Sequence, residues 1–399
     1  MKLPMKILAA VSSLVVLAGS MIPASASAAT ATFPQIVSEN VSSSMDEAAA
    51  QAREYLKARS AEFTVKVDNI KFSSDKATAT AEAEALSQSL IYKAFEETGN
   101  GNEGDYLRFA VKKYHCTIGT QNPCPLTYQV EYYTTPEEEA MLDDKVEQVL
   151  STLTLEQKSD YEKIRAIYKY VTEKVSYSPS NEMKNQYIYS AYNAVIYGHA
   201  VCQGIAQLMY KMLNDSGIPC RIIAGISHDI SGENPDGNHV WLIAKLEGKY
   251  YLLDPTWDLR YNGHYFLYFM KGSDDFDSVS PNITHIPRND NGLSFPDYNS
   301  ETFRNTYPIS QYEYKPPTYS LGDLNGDKHI DAVDASMILA EYARISGNGS
   351  RVFNSEQKKF ADLNGDNLID SVDASLVLAY YSTVSNGKDI DISEFLNSH

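Results

Sequence analysis

Asp323-Leu-Asn-Gly-Asp-Lys-His-Ile-Asp-Ala-Val-Asp334 returns 39 residues later as Asp362-Leu-Asn-Gly-Asp-Asn-Leu-Ile-Asp-Ser-Val-Asp373. Each copy runs through Ala-Ser into an apolar helical segment, residues 337–342 and 376–381. The spacing carries a chemistry. Calcium takes six to eight oxygens at roughly 2.3–2.6 Å, and a twelve-residue loop supplies them from positions 1, 3, 5, 7, 9 and 12. In the first loop those positions are Asp323, Asn325, Asp327, His329, Asp331 and Asp334. In the second they are Asp362, Asn364, Asp366, Leu368, Asp370 and Asp373. Position 7 contributes a backbone carbonyl, so His329 and Leu368 are both acceptable there. Ile330 and Ile369, at position 8, are placed to join the loops by a short β-bridge and to enter the core beneath. Two features depart from the standard EF-hand: Lys328 and Asn367 replace glycine at position 6, and Asp replaces Glu at position 12. The shorter Asp argues against a sensor that opens its helices. One acidic turn is unremarkable; the same ligand pattern twice argues against chance.

A repeated Asp-x-Asn-Gly-Asp loop with Asp at position 12, each followed by a helix, resembles a type I dockerin over residues 321–386. The resemblance implies a module folded by two calcium ions that docks one helical face into a cohesin of a scaffoldin. Ala332, Val333, Ser371 and Val372 fall where such modules set their choice of cohesin. It also implies a cellulosome-like setting, extracellular or held at the cell surface through the scaffoldin, and cargo upstream.

The cargo's chemistry begins at Gly198-His-Ala-Val-Cys-Gln-Gly-Ile-Ala206. A helix is expected over residues 203–214, placing Cys202 at its N-terminus, where the dipole and free N–H groups stabilise a thiolate. Strands follow at residues 218–225, 238–244 and 248–254, and a polar loop at 227–238. They bring His239 to the start of one strand and Asp254 to the end of another. Cys, His and Asp in this order form a workable triad: the His takes the thiol proton and the Asp orients the ring. Each residue alone has a bland reading, since buried free cysteines are common. Cys220 sits in an apolar strand and reads as core; His199 is a second candidate base that reads better as a pocket or surface group, and His228 has no role.

Ala-Val-Cys-Gln-Gly, Gly-Ile-Pro-Cys-Arg, Asn-His-Val-Trp and Tyr-Tyr-Leu-Leu-Asp-Pro-Thr-Trp-Asp together resemble the transglutaminase-like superfamily of papain-like cysteine enzymes, over residues 155–268. The resemblance implies Cys202 as nucleophile, His239 as base and Asp254 as orienting acid, with no cofactor for catalysis. Ile205 stands where bacterial relatives often carry an aromatic. An oxyanion hole needs the Cys202 N–H and a second donor, for which Gln203, Asn193 and the Trp241 indole are candidates. Secreted bacterial members look more like hydrolases, so a cysteine peptidase or amidase acting on protein or peptide through a thioester is expected. A cross-linking transglutaminase, a catalytically silent binding module, and carbohydrate-active cargo in polysaccharide catabolism remain alternatives. The last needs paired carboxylates facing a sugar cleft, and no such motif stands outside the calcium loops.

Outside these motifs the chain is organised around them. Residues 1–28 read as a signal peptide: Lys2 and Lys6, a short apolar run at 7–18, then Ala-Ser-Ala cleavage sites. No membrane span is expected after cleavage. With 43% hydrophobic residues most of the chain is expected to fold, and a formal charge of −18 argues against nucleic acid or an anionic membrane as its main partner. Residues 31–40 read as a linker; helices are expected at 45–59 and near 87–97, strands at 63–72 and 126–133, and a polar loop at 98–105. Long helices follow at 136–150 and 155–175. Cys116 and Cys124 flank a turn-rich loop and read equally as a disulfide or two thiols. The fold class is α+β: an N-terminal α+β module (29–135), a transglutaminase-like domain with an antiparallel sheet (136–272), a loop-rich edge and linker (273–320), and an all-α dockerin of two EF-hand-like repeats (321–399).

Overall fold

Alternating residues build the first sheet of the computed structural model, which describes residues 13–17, 39–178, 185–229, 236–279, 283–288 and 295–398. In Glu62-Phe-Thr-Val-Lys-Val67 every second side chain is buried, as the period of two demands. The sheet contains β1 (Ser13–Leu17), β2 (Glu62–Val67), β3 (Val111–Ile118) and β4 (Cys124–Tyr132), in the order β1-β3-β4-β2. Apart from β1, the proposed leader and the linker up to residue 38 lie outside the described residues. Helices α1 (Glu39–Lys57) and α2 (Lys76–Ala94) contribute Ala52, Leu56, Leu90 and Ala94 to a core shared with Val65, Leu126 and Tyr128 of the sheet. Helix α2 starts eleven residues before its expected beginning because Asp75 caps it, its carboxylate accepting the Thr78 N–H at 2.9 Å. Helix α3 (Asp105–Ala110) and β3 had no counterpart in the sequence reading. Cys116 and Cys124 are both buried free thiols, so the disulfide alternative does not apply.

Helix α4 (Pro136–Thr152) opens with a Thr135–Glu138 capping box and a proline in its first turn. After it come α5 (Asp160–Lys174), the short parallel pair β5 (Ser176–Tyr177) and β6 (His199–Ala200), then α6 (Ala191–Ile196) and α7 (Cys202–Asp215). The second sheet is antiparallel, in the order β10-β7-β8-β9: β7 (Cys220–Asp229), β8 (Gly237–Leu246), β9 (Lys249–Leu253) and β10 (Ile283–Pro287). Helices α8 (Pro255–Asp258) and α9 (Glu301–Thr306) complete this part.

Two expected boundaries move. Residues 1–153 and 164–314 form one compact unit. The reason at residue 135 is a buried ion pair: Arg221 on β7 donates to both Asp105 carboxylate oxygens at 2.8 and 3.1 Å, and Asp105 also accepts the Ile222 N–H. Asp105 is fully buried, so separating the two halves would strand a charge at a cost of several kcal/mol. The reason at residue 272 is β-structure. Strand β10 pairs with β7, and the Ser310 N–H donates to the Tyr250 carbonyl. The supposed linker therefore supplies a strand to the second sheet.

The other unit comprises residues 315–399 with 154–163. It carries α10 (Ala332–Ser346), α11 (Ser355–Ala361), α12 (Ser371–Ser385) and α13 (Ile392–Asn397) around Leu324, Ile338, Phe353, Leu363 and Val377. Ile330 and Ile369 pack against this core, but among the described residues no β-bridge joins them. No helix of the described residues is long and apolar enough to cross a membrane.

Candidate active site and calcium loops

Cys202 is the first residue of α7, and no acidic side chain occupies that helix's first turn to compete for its N–H groups. The helix start is held from both sides. The Val201 N–H donates to the Ile188 carbonyl, and Gln203 Nε2 donates to the carbonyls of Phe109 (2.9 Å) and Tyr189 (3.2 Å). Gly204 permits this closeness, since a Cβ there would stand 2.6 Å from the Ser190 carbonyl oxygen.

His239 lies on β8, and its Nε2 meets Asp254 Oδ2 at 2.7 Å. The Cys202 side chain lies close enough to act on the same imidazole, raising its affinity for a proton together with Asp254. Asp254 ends β9 and caps α8, its Oδ1 accepting the Trp257 N–H at 3.1 Å. The Trp257 ring stacks on His239 at 5.1 Å with a 12° interplanar angle, which fixes the imidazole plane. Just beyond, the Tyr168 hydroxyl donates to Asp258 Oδ2 at 2.6 Å, and Asp258 also accepts the Leu267 and Tyr268 N–H groups. Burial pushes the Asp258 carboxyl up to about 6.

Burial works against charge on His239, but the Asp254 carboxylate and the Cys202 side chain outweigh it and raise the imidazole to about 10. Burial likewise works to raise Asp254, and His239 with His285 overcomes it, leaving the carboxyl at about 2. The signs fix a pH window. A raised histidine stabilises the fold fully below its unfolded value near 6.5 and loses that contribution as pH climbs through about 10. A depressed aspartate contributes above its unfolded value near 3.8 and loses it as pH falls through about 2. The unfolding free-energy gap between the natural chain and a His239→Gln variant is therefore expected to peak between about pH 4 and 6.5 and to shrink on both sides. Urea titrations across pH 2–10 measure it; a flat gap would contradict the ion pair.

The other sequence candidates separate by geometry. Gln203 and Asn193 commit side-chain amides to backbone carbonyls, Asn193 Nδ2 donating to His199 O at 2.6 Å. Trp241 is buried behind His239, its ring centroid 6.0 Å away. The Tyr177 hydroxyl, which the sequence did not single out, accepts the Cys202 backbone N–H. Ile205 is fully buried, and Cys220 is core: burial pushes its thiol well up. His199 Nδ1 sits 3.1 Å from the Tyr197 carbonyl. His228 pairs with Asp236 at an exposed position, and most of the loop between them lies outside the described residues.

His285 was also missed. It lies on β10, yet its Nε2 is 3.2 Å from Asp254 Oδ2 and its Nδ1 is 2.7 Å from Asp277 Oδ1. It is registered opposite Ser227 of β7, and its ring lies 4.8 Å from that of Trp241, which itself occupies the space that a side chain at Gly225 would fill. The signal available was the Ile-Thr-His-Ile alternation at 283–286, too short to stand out within a polar stretch.

The C-terminal repeats adopt matching loops. Asp323 Oδ1 and Oδ2 accept the N–H groups of Gly326 and Lys328, and Asp362 Oδ2 accepts that of Asn367. Lys328 and Asn367, at position 6, hold φ of 70° and 65°, the left-handed turn that glycine usually supplies. Asp334 and Asp373 accept N–H groups from their own loops and cap α10 and α12. Asp362 Oδ1 is buried without any hydrogen-bond partner, which fits a carboxylate shaped for a cation. Ala332, Val333, Ser371 and Val372 are exposed, as are Leu339, Tyr342, Leu378 and Tyr381, which recur at the same 39-residue offset.

The chain's likenesses agree with this division. The family model of the Transglutaminase-like superfamily matches residues 147–255, and that of the Dockerin type I domain matches residues 321–380. Kyphoscoliosis peptidase of Mus musculus is 27% identical over 116 residues, and that of Homo sapiens 25% over 118, each match covering 28% of this chain. The chain spans 18% of the length of these curated relatives. A solved structure described as a TGase matches with 14% identity and a TM-score of 0.26, covering 36% of this chain and 50% of that one.

Proposed function

We propose that this chain is a secreted cysteine peptidase or amidase carried as dockerin-borne cargo of a cellulosome-like complex. The observation that carries the reading is His239 bound through Nε2 to Asp254 at 2.7 Å, with the Cys202 side chain, at the head of α7, acting on the same imidazole. Cys202, as thiolate, attacks a substrate carbonyl carbon, and the negative oxygen turns toward the Cys202 N–H at the head of α7. The Tyr177 hydroxyl beside that N–H is the second donor. His239 then gives its proton to the departing amine, leaving a thioester. Water, deprotonated by the same imidazole, attacks the thioester, and release of the acid restores the thiol.

The dockerin reading supplies the address. Asp323, Asn325, Asp327, Asp331 and Asp334, with their counterparts Asp362, Asn364, Asp366, Asp370 and Asp373, would hold two calcium ions, together with the carbonyls of His329 and Leu368. Bound calcium neutralises the crowded carboxylates and so supports the fold. The exposed faces of α10 and α12, including Val333 and Val372, would meet a cohesin. Residues 1–28 would direct export.

A peptide panel incubated with the chain, with and without a primary amine, tests the reaction by mass spectrometry. Hydrolysed peptides that vanish in Cys202→Ala are the expected products. Amine-joined products would instead make the chain a transglutaminase. Polysaccharide cleavage that survives Cys202→Ala would overturn the cysteine chemistry altogether.

A further inference from the structure

We propose that His285, anchored by Asp277, is a positioning residue that fixes Asp254 for its work on His239. The inference rests on the triad reading above and extends it by two residues.

Asp254 is pinned by three donors from three elements. Its Oδ2 accepts His239 Nε2 from β8 at 2.7 Å and His285 Nε2 from β10 at 3.2 Å, and its Oδ1 accepts the Trp257 N–H from α8 at 3.1 Å. With Oδ1 held by the Trp257 N–H, the second imidazole on Oδ2 fixes the direction in which that oxygen meets His239. His285 is fixed in turn. Asp277 Oδ1 lies 2.7 Å from its Nδ1, and both Asp277 oxygens accept the His285 backbone N–H at 3.2 Å. Its side chain is 2% exposed, walled by Trp257, Phe276 and Trp241 at ring distances of 4.1, 4.2 and 4.8 Å.

The chemistry of the cluster explains why a histidine stands there. Both nitrogens of His285 face carboxylate oxygens, Nδ1 that of Asp277 and Nε2 that of Asp254. The imidazole thus bridges the two carboxylates, its outer nitrogen held by Asp277 and its inner one turned to Asp254. The ionisable groups around His285 are Asp254, Asp277, His239 at 5.6 Å between rings and Tyr268 at 6.1 Å. The donor atoms of His239, Asp254 and His285 gather as metal ligands would, but separations of 2.7 and 3.2 Å are those of N–H···O bonds.

The experiment is the pH profile of Cys202 alkylation by iodoacetamide in the full chain, read by peptide mapping, with circular dichroism as the folding check. The natural chain should show a low-pH limb of reactivity that His239→Ala removes. His285→Phe, apolar among aromatic neighbours, should slow alkylation at neutral pH roughly tenfold and move the low-pH limb up by about one unit, the scale of one lost charge-assisted hydrogen bond. His285→Gln, which keeps an N–H donor, should recover most of the rate. Should His285→Phe fail to fold, Asp277→Asn disturbs only the outer bond and should shift the limb in the same direction by less. A His239-dependent limb unchanged in His285→Phe, or in Asp277→Asn where Phe unfolds, overturns the positioning role and leaves the triad standing. Absence of any His239-dependent limb in the natural chain overturns both.

Discussion

Iodoacetamide at neutral pH is expected to label Cys202 and leave Cys116, Cys124 and Cys220 unmodified, and replacing His239 with Ala is expected to slow that labelling roughly 100-fold or more. The expectation follows from four thiols in two kinds of surroundings. Burial pushes Cys116 up to about 12 and Cys124 up to about 11, and it holds Cys220 well above the ordinary thiol range. None of the three is a nucleophile near neutrality. Cys202 heads α7 and faces an imidazole that Asp254 keeps protonated up to about pH 10. Positive charge and helix N–H groups meet only at that sulfur. Removing His239 takes away the charge and the proton carrier together. The same variant should lose peptide turnover by at least that factor, because its proton is needed when the amine leaves. Peptide mapping after timed labelling gives the rate. Cys202 reacting no faster than Cys220 would sink the enzyme reading and leave a binding module on a borrowed fold.

What was legible depended on how far apart in sequence the cooperating residues lie. Cys202, His239 and Asp254 sit within 53 residues, each beside its own local signal: a helix start, a strand start and a strand end. The calcium loops are more local still, twelve residues each, and the repeat doubles their signal. His285 depends instead on the pairing of β10 with β7, where it stands opposite Ser227. Such register is set by tertiary packing, and a five-residue strand in a polar stretch gives periodicity little to work with. The N-terminal boundary failed for a related reason. Asp105 sits in what reads as a polar loop, and only its bonds to Arg221, 116 residues away, reveal it as an anchor. Tyr177, proposed above as the second oxyanion donor, arrives from β5, 25 residues before Cys202, and was not among the candidates Gln203, Asn193 and Trp241.

Calcium removal should have the other large effect: chelation with EGTA is expected to abolish cohesin binding, at least about 1,000-fold, and to melt the C-terminal unit. Four aspartates crowd each twelve-residue loop, Asp323, Asp327, Asp331 and Asp334 in one and Asp362, Asp366, Asp370 and Asp373 in the other. Without a cation they repel one another, and the buried Asp362 Oδ1 has no protein group to satisfy it. Lys328 and Asn367 add the cost of left-handed backbone. Against these stands one small core around Ile338, Leu363 and Val377. A cation at a thousandfold excess over its dissociation constant contributes about 4 kcal/mol per site, comparable to the whole stability of so small a unit. The informative variants are Asp327→Ala and Asp366→Ala. Both side chains bond only within their own loops, to residues 325 and 329 or 364 and 368, whereas Asp334 and Asp373 also cap helices and would confuse lost calcium with a lost cap. Each single variant should leave one calcium bound by calorimetry and the double variant none. Alkylation of Cys202 in the same samples serves as the control for the rest of the chain. Undiminished cohesin binding and an unchanged melt in EGTA would mean that the loops hold their shape without the ion, and the calcium assignment would fall.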